Sequence, residues 1–145
     1  MTIVSTPRTL TGLAGHVAAA IARLDGLPLA LPALLLRLGV ALVFWRSGQT
    51  KLASWETTLM LFENEYQVPF LSPTVAAALG TGAELALPAL LAAGLGTRFA
   101  ALGLFVFNLV AVVSYPDLSD AGLKDHLLWG ALLAVTFFHG PGKFS

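Results

Sequence analysis

Residues Pro73 to Leu95 read PTVAAALGTGAELALPALLAAGL, an apolar run of 23 residues with a single charged side chain, Glu84. A helix of about 20 such residues is long enough to cross the hydrocarbon core of a bilayer. Pro73 suits the first turn of a helix, and Gly94 favours its end. This stretch therefore predicts a membrane-spanning helix.

The composition of the whole chain supports that prediction. Of its 145 residues, 57% are hydrophobic and 11% are charged, whereas soluble domains carry about 25% charged residues. The mean hydropathy of +0.81 also indicates that lipid, rather than water, solvates most of the chain. This length suits one domain.

Charge and residue usage argue against several classes of function. The formal net charge is zero, which disfavours nucleic acid as a partner because such proteins carry a basic patch. The sequence has no cysteine, so its own thiolates cannot hold an iron–sulfur cluster. Its three histidines lack the spacing of metal ligands, and we expect no metal site. Phosphate-loop, dinucleotide-binding and nucleophile-elbow motifs are also missing, which leaves open whether the protein is an enzyme.

Two further stretches have the length and composition of membrane spans. Residues Leu27 to Trp45 contain one charge, Arg37, and residues Arg98 to Tyr115 are mostly apolar, with Asn108 near their middle. The sequence therefore predicts a first and a third spanning helix on either side of the one that contains Glu84.

A fourth span requires polar residues. The uncharged run Leu127–Phe138 has 12 residues, about 18 Å of helix, which is too short to cross. We therefore expect Lys124, Asp125 and His126 to lie within the span. Together these patterns predict an all-α fold: an integral membrane four-helix bundle over residues 27–145.

Residues 1–26 are predicted to form a separate N-terminal segment. Apolar side chains recur from Leu10 to Leu24 at helical spacing, which favours an amphipathic helix on the membrane surface. A second short helix is expected from Ser54 to Tyr66, inside the polar stretch Arg46–Ser72.

Basic residues indicate the orientation of the spans. Four of them fall on the side of the two termini and three on the other side. The positive-inside rule then places both termini in the cytoplasm of a multi-pass protein. The basic residues of the terminal side are Arg8, Arg23, Arg98 and Lys143, and those of the other side are Arg46, Lys51 and Lys124.

Arg37 and Glu84 are the leading candidates for a ligand-binding site. Each lies near the middle of its predicted span, so we expect them at similar depth and paired with each other. A charge at the bilayer centre costs at least ~2.5–3.5 kcal/mol, which makes such residues candidates for a substrate or proton site. An alternative stays open, in which the pair only holds two helices together.

Other polar residues extend the candidate site. Asn108 lies near the middle of the third span, where an interhelical hydrogen bond is the simpler interpretation. A second cluster is expected at the outer membrane boundary, with a tryptophan on each flank; interfacial anchoring is its alternative interpretation. The candidates in this cluster are Trp45, Arg46, Lys51, Asp125 and His126. Lys124 also belongs to the cluster, and Trp129 is the second flanking tryptophan.

Several motifs, taken in order, resemble the DoxX family of small bacterial membrane proteins. They are Arg37-Leu38-Gly39, Ser47-Gly48 with Lys51-Leu52, Glu84, the block Leu95–Leu102, and the ending Gly140–Ser145. Where the family often has a histidine and a glycine before the lysine, this chain has Arg46–Thr50. The resemblance implies a four-helix protein of the bacterial inner membrane.

The resemblance also implies a redox association, since some members resemble the membrane subunit of thiosulfate:quinone oxidoreductases. The leading hypothesis is a membrane subunit of a redox or stress-response system that binds a quinone non-covalently near Arg37 and Glu84. A membrane or periplasmic redox protein would be its partner, and a homo-oligomer stays open. The alternatives are a non-enzymatic scaffold for partner proteins and a small proton-coupled carrier.

Overall fold

The computed structural model of the chain describes residues 12–25 and 30–140. Within these ranges the chain forms helices and no strand, which confirms the all-α prediction. In chain order the described helices are α1 (Leu13–Asp25), α2 (Ala30–Ala53), α3 (Trp55–Asn64), α4 (Pro73–Ala93), α5 (Thr97–Ser114) and α6 (Asp120–His139).

Three of these helices, α2, α4 and α5, are long and apolar enough to cross a membrane. In the most apolar 18-residue stretch of each helix, only 28%, 39% and 33% of the residues, respectively, are buried inside the protein. Most of their apolar side chains therefore face outward, where lipid is the solvent that suits them. Helix α6 begins at Asp120 and includes Lys124, Asp125 and His126. A fourth crossing by α6 stays a prediction.

The four long helices pack in a closed cycle. Helix α2 contacts α4 and α6, and α5 contacts the same two helices, while the short α3 packs on α2 and α4. Small side chains at the shared contacts let the backbones approach closely. The larger cluster of buried core residues contains Val40, Ala41, Phe44, Leu91, Ala100, Ala101, Leu104 and Leu133.

Helix α2 is longer at its C-terminal end than the sequence predicts. It continues past Trp45 to Ala53, so residues assigned to a polar connection form two further helical turns. Helix α3 confirms the expected short helix, and Ser54 precedes it. The Ser54 hydroxyl lies 2.7 Å from the Thr57 hydroxyl and makes no capping bond to the backbone.

The N-terminal helix has an exposed apolar side. In α1 the side chains of Leu13 and Val17 are 81% and 50% exposed. Residues 1–11 and 26–29 lie outside the described ranges, and so does the start of the predicted stripe at Leu10. The location of α1 on a membrane surface stays a prediction.

Connections at the two ends of the long helices bring distant parts of the chain together. At one end, the Gln67 amide donates to the Ser114 carbonyl oxygen at 2.7 Å, so the segment after α3 contacts the end of α5. At the other end, Gly94 and Gly96 have positive φ values of 77° and 56° and make the tight turn between α4 and α5. Gly140, just after α6, lies beside Arg98 at this same end.

At Gly48 the helices α2 and α4 approach each other closely. A Cβ atom added to it would lie 2.9 Å from Cγ of Leu85 and 3.1 Å from Cβ of Glu84. Only a glycine fits this position without displacing its neighbours. By contrast, a Cβ atom added to Gly39 on the same helix would meet no atom within 4 Å.

We expect Gly48→Ala to destabilise the protein by about 1–3 kcal/mol, because overpacking forces α2 away from α4. Thermal unfolding of the detergent-solubilised protein, followed by circular dichroism, measures the effect. Gly39→Ala is the matched control and should unfold at the same or a slightly higher temperature, since alanine favours helix. Equal unfolding temperatures for the two variants would contradict the close approach.

Candidate functional site

An ion pair joins α2 to α4 in the interior. Lys51 Nζ lies 2.6 Å from Oε2 of Glu84, and the two side chains are 17% and 6% exposed. Ser47 completes the arrangement: its Oγ accepts a hydrogen bond from Lys51 Nζ at 2.9 Å and donates one to Glu84 Oε1 at 3.0 Å. Both carboxylate oxygens of Glu84 therefore have a donor.

Local sequence explains how these groups meet. Ser47 and Lys51 are four residues apart on α2, so they lie on one face of that helix. Gly48 lies between them and lets this face approach Glu84 closely. Pro88 is buried in α4 one turn after Glu84 and has no N–H to donate to the Glu84 carbonyl.

A cavity of about 500 Å³ lies beside the ion pair. Pockets for small organic ligands have this size, an apolar lining and a few polar groups. The lining comes from α2, α3, α4, α5, α6, the segment after α3 and the segment after α5, and Ser47, Lys51 and Glu84 are part of it. Its aromatic members are Phe44, Phe62, Tyr66, Phe107, Tyr115 and Trp129.

Two tyrosines line the cavity, Tyr66 in the segment after α3 and Tyr115 directly after α5. The Tyr66 and Tyr115 rings contact each other with centroids 5.2 Å apart, and the Tyr115 hydroxyl donates to Glu65 Oε2 at 3.3 Å. Burial raises the pKa of Tyr66, and the Glu65 carboxylate raises the pKa of Tyr115. Both phenols therefore keep their protons at neutral pH and are hydrogen-bond donors.

Helices α5 and α6 contribute a second polar contact. Asn108 Nδ2 donates to the His126 carbonyl oxygen at 2.9 Å, and Asn108 Oδ1 lies 2.7 Å from His126 Nδ1. This confirms the predicted interhelical hydrogen bond of Asn108. Trp129 packs edge-on against the His126 ring with centroids 4.9 Å apart, and both side chains line the cavity.

The predicted pairing of Arg37 with Glu84 is not confirmed, since the ion-pair partner of Glu84 is Lys51. Arg37 is buried, at 2% exposure. Gly48 is the residue of α2 that lies beside Glu84, and Arg37 comes eleven residues earlier on the same helix. That separation corresponds to about 16 Å along the helix axis. The expected equal depth of Arg37 and Glu84 is therefore wrong.

The remaining candidates separate into two groups. Lys51 and His126, both expected at the outer boundary, line the interior cavity. Trp45, Arg46 and Asp125 are exposed on the outer surface of their helices and are not among its lining residues.

Sequence reasoning missed several residues that the structure brings to the site. Ser47 had a usable signal, because it lies one helical turn before Lys51. Tyr66 and Ser114 had none, since nothing in their neighbourhoods predicts that the segment after α3 folds against the end of α5.

We expect Lys51→Met to destabilise the protein by about 3–5 kcal/mol, because it leaves the Glu84 carboxylate buried without its cation. The double change Lys51→Met with Glu84→Met should cost less than Lys51→Met alone, because it removes both charges. Chemical unfolding in detergent measures the difference. Lys124→Met, at an exposed position on α6, is the control and should change little. A double variant less stable than Lys51→Met would contradict the buried pair.

The family assignment follows from a comparison of the sequence with family models. The DoxX family model matches residues 33–116, more than half of the chain. The matched range contains Ser47, Lys51, Glu84 and Asn108, and it ends before His126. The comparisons with curated proteins and with solved structures give no match. Both the family and the three apolar helices point to a multi-pass protein in a lipid bilayer, and we conclude that the chain belongs to the DoxX family.

Proposed function

We propose that this protein is an inner-membrane subunit of a redox or stress-response system, and that it binds a quinone or a similar lipophilic small molecule. The observation that carries the proposal is the cavity of about 500 Å³ between helices that are apolar enough to lie in a membrane. A molecule dissolved in the bilayer is the natural ligand for a cavity in this position.

The side chains that line the cavity suit a planar ring with polar substituents. Aromatic side chains from four helices provide apolar surfaces for a planar ring. A quinone carbonyl only accepts hydrogen bonds, and two kinds of donor are at the wall. Lys51 has three ammonium N–H groups, of which Glu84 and Ser47 engage two. Tyr66 adds a protonated phenol.

This proposal locates the ligand beside Lys51 and Glu84 rather than beside Arg37. Arg37 lies about 16 Å further along α2 and is not among the residues that line the cavity. The proposal therefore assigns Arg37 no contact with the ligand.

We expect the purified protein to release a quinone-like chromophore into organic solvent and to bind a short-chain ubiquinone saturably. Quenching of tryptophan fluorescence reports the binding, because Trp129 lines the cavity. Ala83 also lines the cavity, so a phenylalanine there would fill part of the space for the ligand. Ala83→Phe should therefore weaken binding by at least about tenfold, a loss of about 1.4 kcal/mol.

Ala86→Phe is the matched control, since Ala86 lies on the same helix with an exposed side chain outside the lining. It should bind the ubiquinone as the unmodified protein does. The absence of both the chromophore and saturable quenching would reject the proposal. Equal affinities of the Ala83→Phe and Ala86→Phe variants would reject this cavity as the site.

The proposal includes a membrane arrangement. Four crossings, by α2, α4, α5 and α6, would leave both termini in the cytoplasm and α1 on the cytoplasmic membrane surface. The contact of Gly140 with Arg98 supports it, because the end of α6 then lies on the same side as the turn between α4 and α5. A periplasmic redox partner would then meet the end that carries α3.

Single cysteines test this arrangement, because the sequence contains no cysteine. In spheroplasts, we expect a membrane-impermeant maleimide to label Asp117→Cys, and to label Leu95→Cys and His139→Cys only after lysis. All three positions are exposed. Labelling of His139→Cys together with Asp117→Cys would show that α6 does not cross. Labelling of Leu95→Cys before lysis, and of Asp117→Cys only after lysis, would show the opposite orientation.

A further inference from the structure

The contact between Asn108 and His126 determines which nitrogen of the imidazole carries the proton. The His126 carbonyl oxygen can only accept a hydrogen bond, so the Asn108 group that faces it at 2.9 Å must be the amide NH₂. The amide oxygen of Asn108 then faces His126 Nδ1 at 2.7 Å. An amide oxygen also only accepts, so Nδ1 must carry a hydrogen.

A neutral imidazole with its hydrogen on Nδ1 has a lone pair on Nε2. Among the residues that the structure describes, His126 makes its side-chain hydrogen bond through Nδ1 and has none at Nε2. His126 lines the cavity, and the edge contact with Trp129 fixes the plane of its ring. His126 can therefore offer this acceptor to a molecule bound in the cavity.

The surroundings of Asn108 favour its contact with His126. Its side chain is 2% exposed, and both of its polar atoms bind His126. Gly130, one turn after His126, makes room for it, since a Cβ atom added there would lie 3.3 Å from Asn108 Nδ2. Asn108 is thus a positioning residue that acts through the imidazole.

Ser114 provides a second, independent indication of a ligand. It is 2% exposed and lines the same cavity, and its Oγ has no hydrogen-bond partner among the described residues. A buried hydroxyl without a partner costs free energy, and a polar group of a bound molecule would satisfy it.

We propose that His126 Nε2 accepts a hydrogen bond from a hydroxyl group of the ligand, and that the cavity therefore prefers a phenol-type molecule, such as a hydroquinone, over the corresponding quinone. This inference rests on the proposed function and names the class of ligand for that site. A quinone carbonyl has no hydrogen to donate to Nε2, whereas the hydroxyl of a hydroquinone has one. The Ser114 hydroxyl can bind either form.

The first test compares trimethylhydroquinone with trimethylbenzoquinone by isothermal titration calorimetry under anaerobic conditions. We expect the hydroquinone to bind more tightly, and His126→Phe to reduce the ratio of the two affinities about tenfold, as the loss of one buried hydrogen bond does. His139→Phe is the matched control, because His139 is exposed at the far end of α6, outside the cavity lining. It should leave the ratio unchanged.

A second measurement does not depend on the folding of a variant at His126. Nitrogen-15 chemical shifts of labelled histidine distinguish the two neutral tautomers, and His16→Gln and His139→Gln assign the signals. We expect His126 with a hydrogen on Nδ1, and a shift of its Nε2 signal when trimethylhydroquinone is added. Asn108→Leu should remove the contact that keeps the hydrogen on Nδ1, and it should therefore lower the preference for the hydroquinone.

The outcomes separate this inference from the proposed function. Binding of both compounds with a ratio that His126→Phe leaves unchanged would overturn the inference alone. A hydrogen on Nε2 of His126 in the unmodified protein would also overturn it. If neither compound binds, the inference and the proposed function fail together.

Discussion

A carboxylate among apolar helices is stable only if a cation or several donors meet it, and the contact of Lys51 with Glu84 satisfies that condition here. Ser47 supplies the second carboxylate oxygen with a donor. Because a 2.6 Å contact leaves little freedom, it determines how α2 is aligned with α4. Gly48 makes this alignment sterically feasible, because a side chain there would meet Leu85 and Glu84.

The membrane helices could be predicted from composition, but the relative depth of their residues could not. Runs such as Pro73–Leu95 indicate a span because few other structures tolerate so many apolar side chains. Backbone hydrogen bonding, rather than hydropathy, decides where a helix ends, and α2 continues through polar residues to Ala53. Counting from a presumed end at Trp45 therefore placed Arg37 level with Glu84, which is wrong.

The same contrast applies to the candidate site. Glu84, Asn108 and His126 could be singled out because polar atoms in apolar surroundings need partners. Phe44 and Ser114 could not, because an aromatic or a small side chain looks the same in sequence whether it faces the core, the lipid or a cavity. The cavity is a product of tertiary packing, with a lining drawn from five helices and two connecting segments.

The distribution of polar groups over the helices has a consequence for biosynthesis. Lys51 and Glu84 belong to α2 and α4, so their contact can form before the ribosome has made α5. The imidazole belongs to α6, the last of the described helices, and reaches Asn108 only after α2 to α5 have been synthesised. A nascent chain released after α5 would hold its charges in place and still lack the imidazole that α6 supplies.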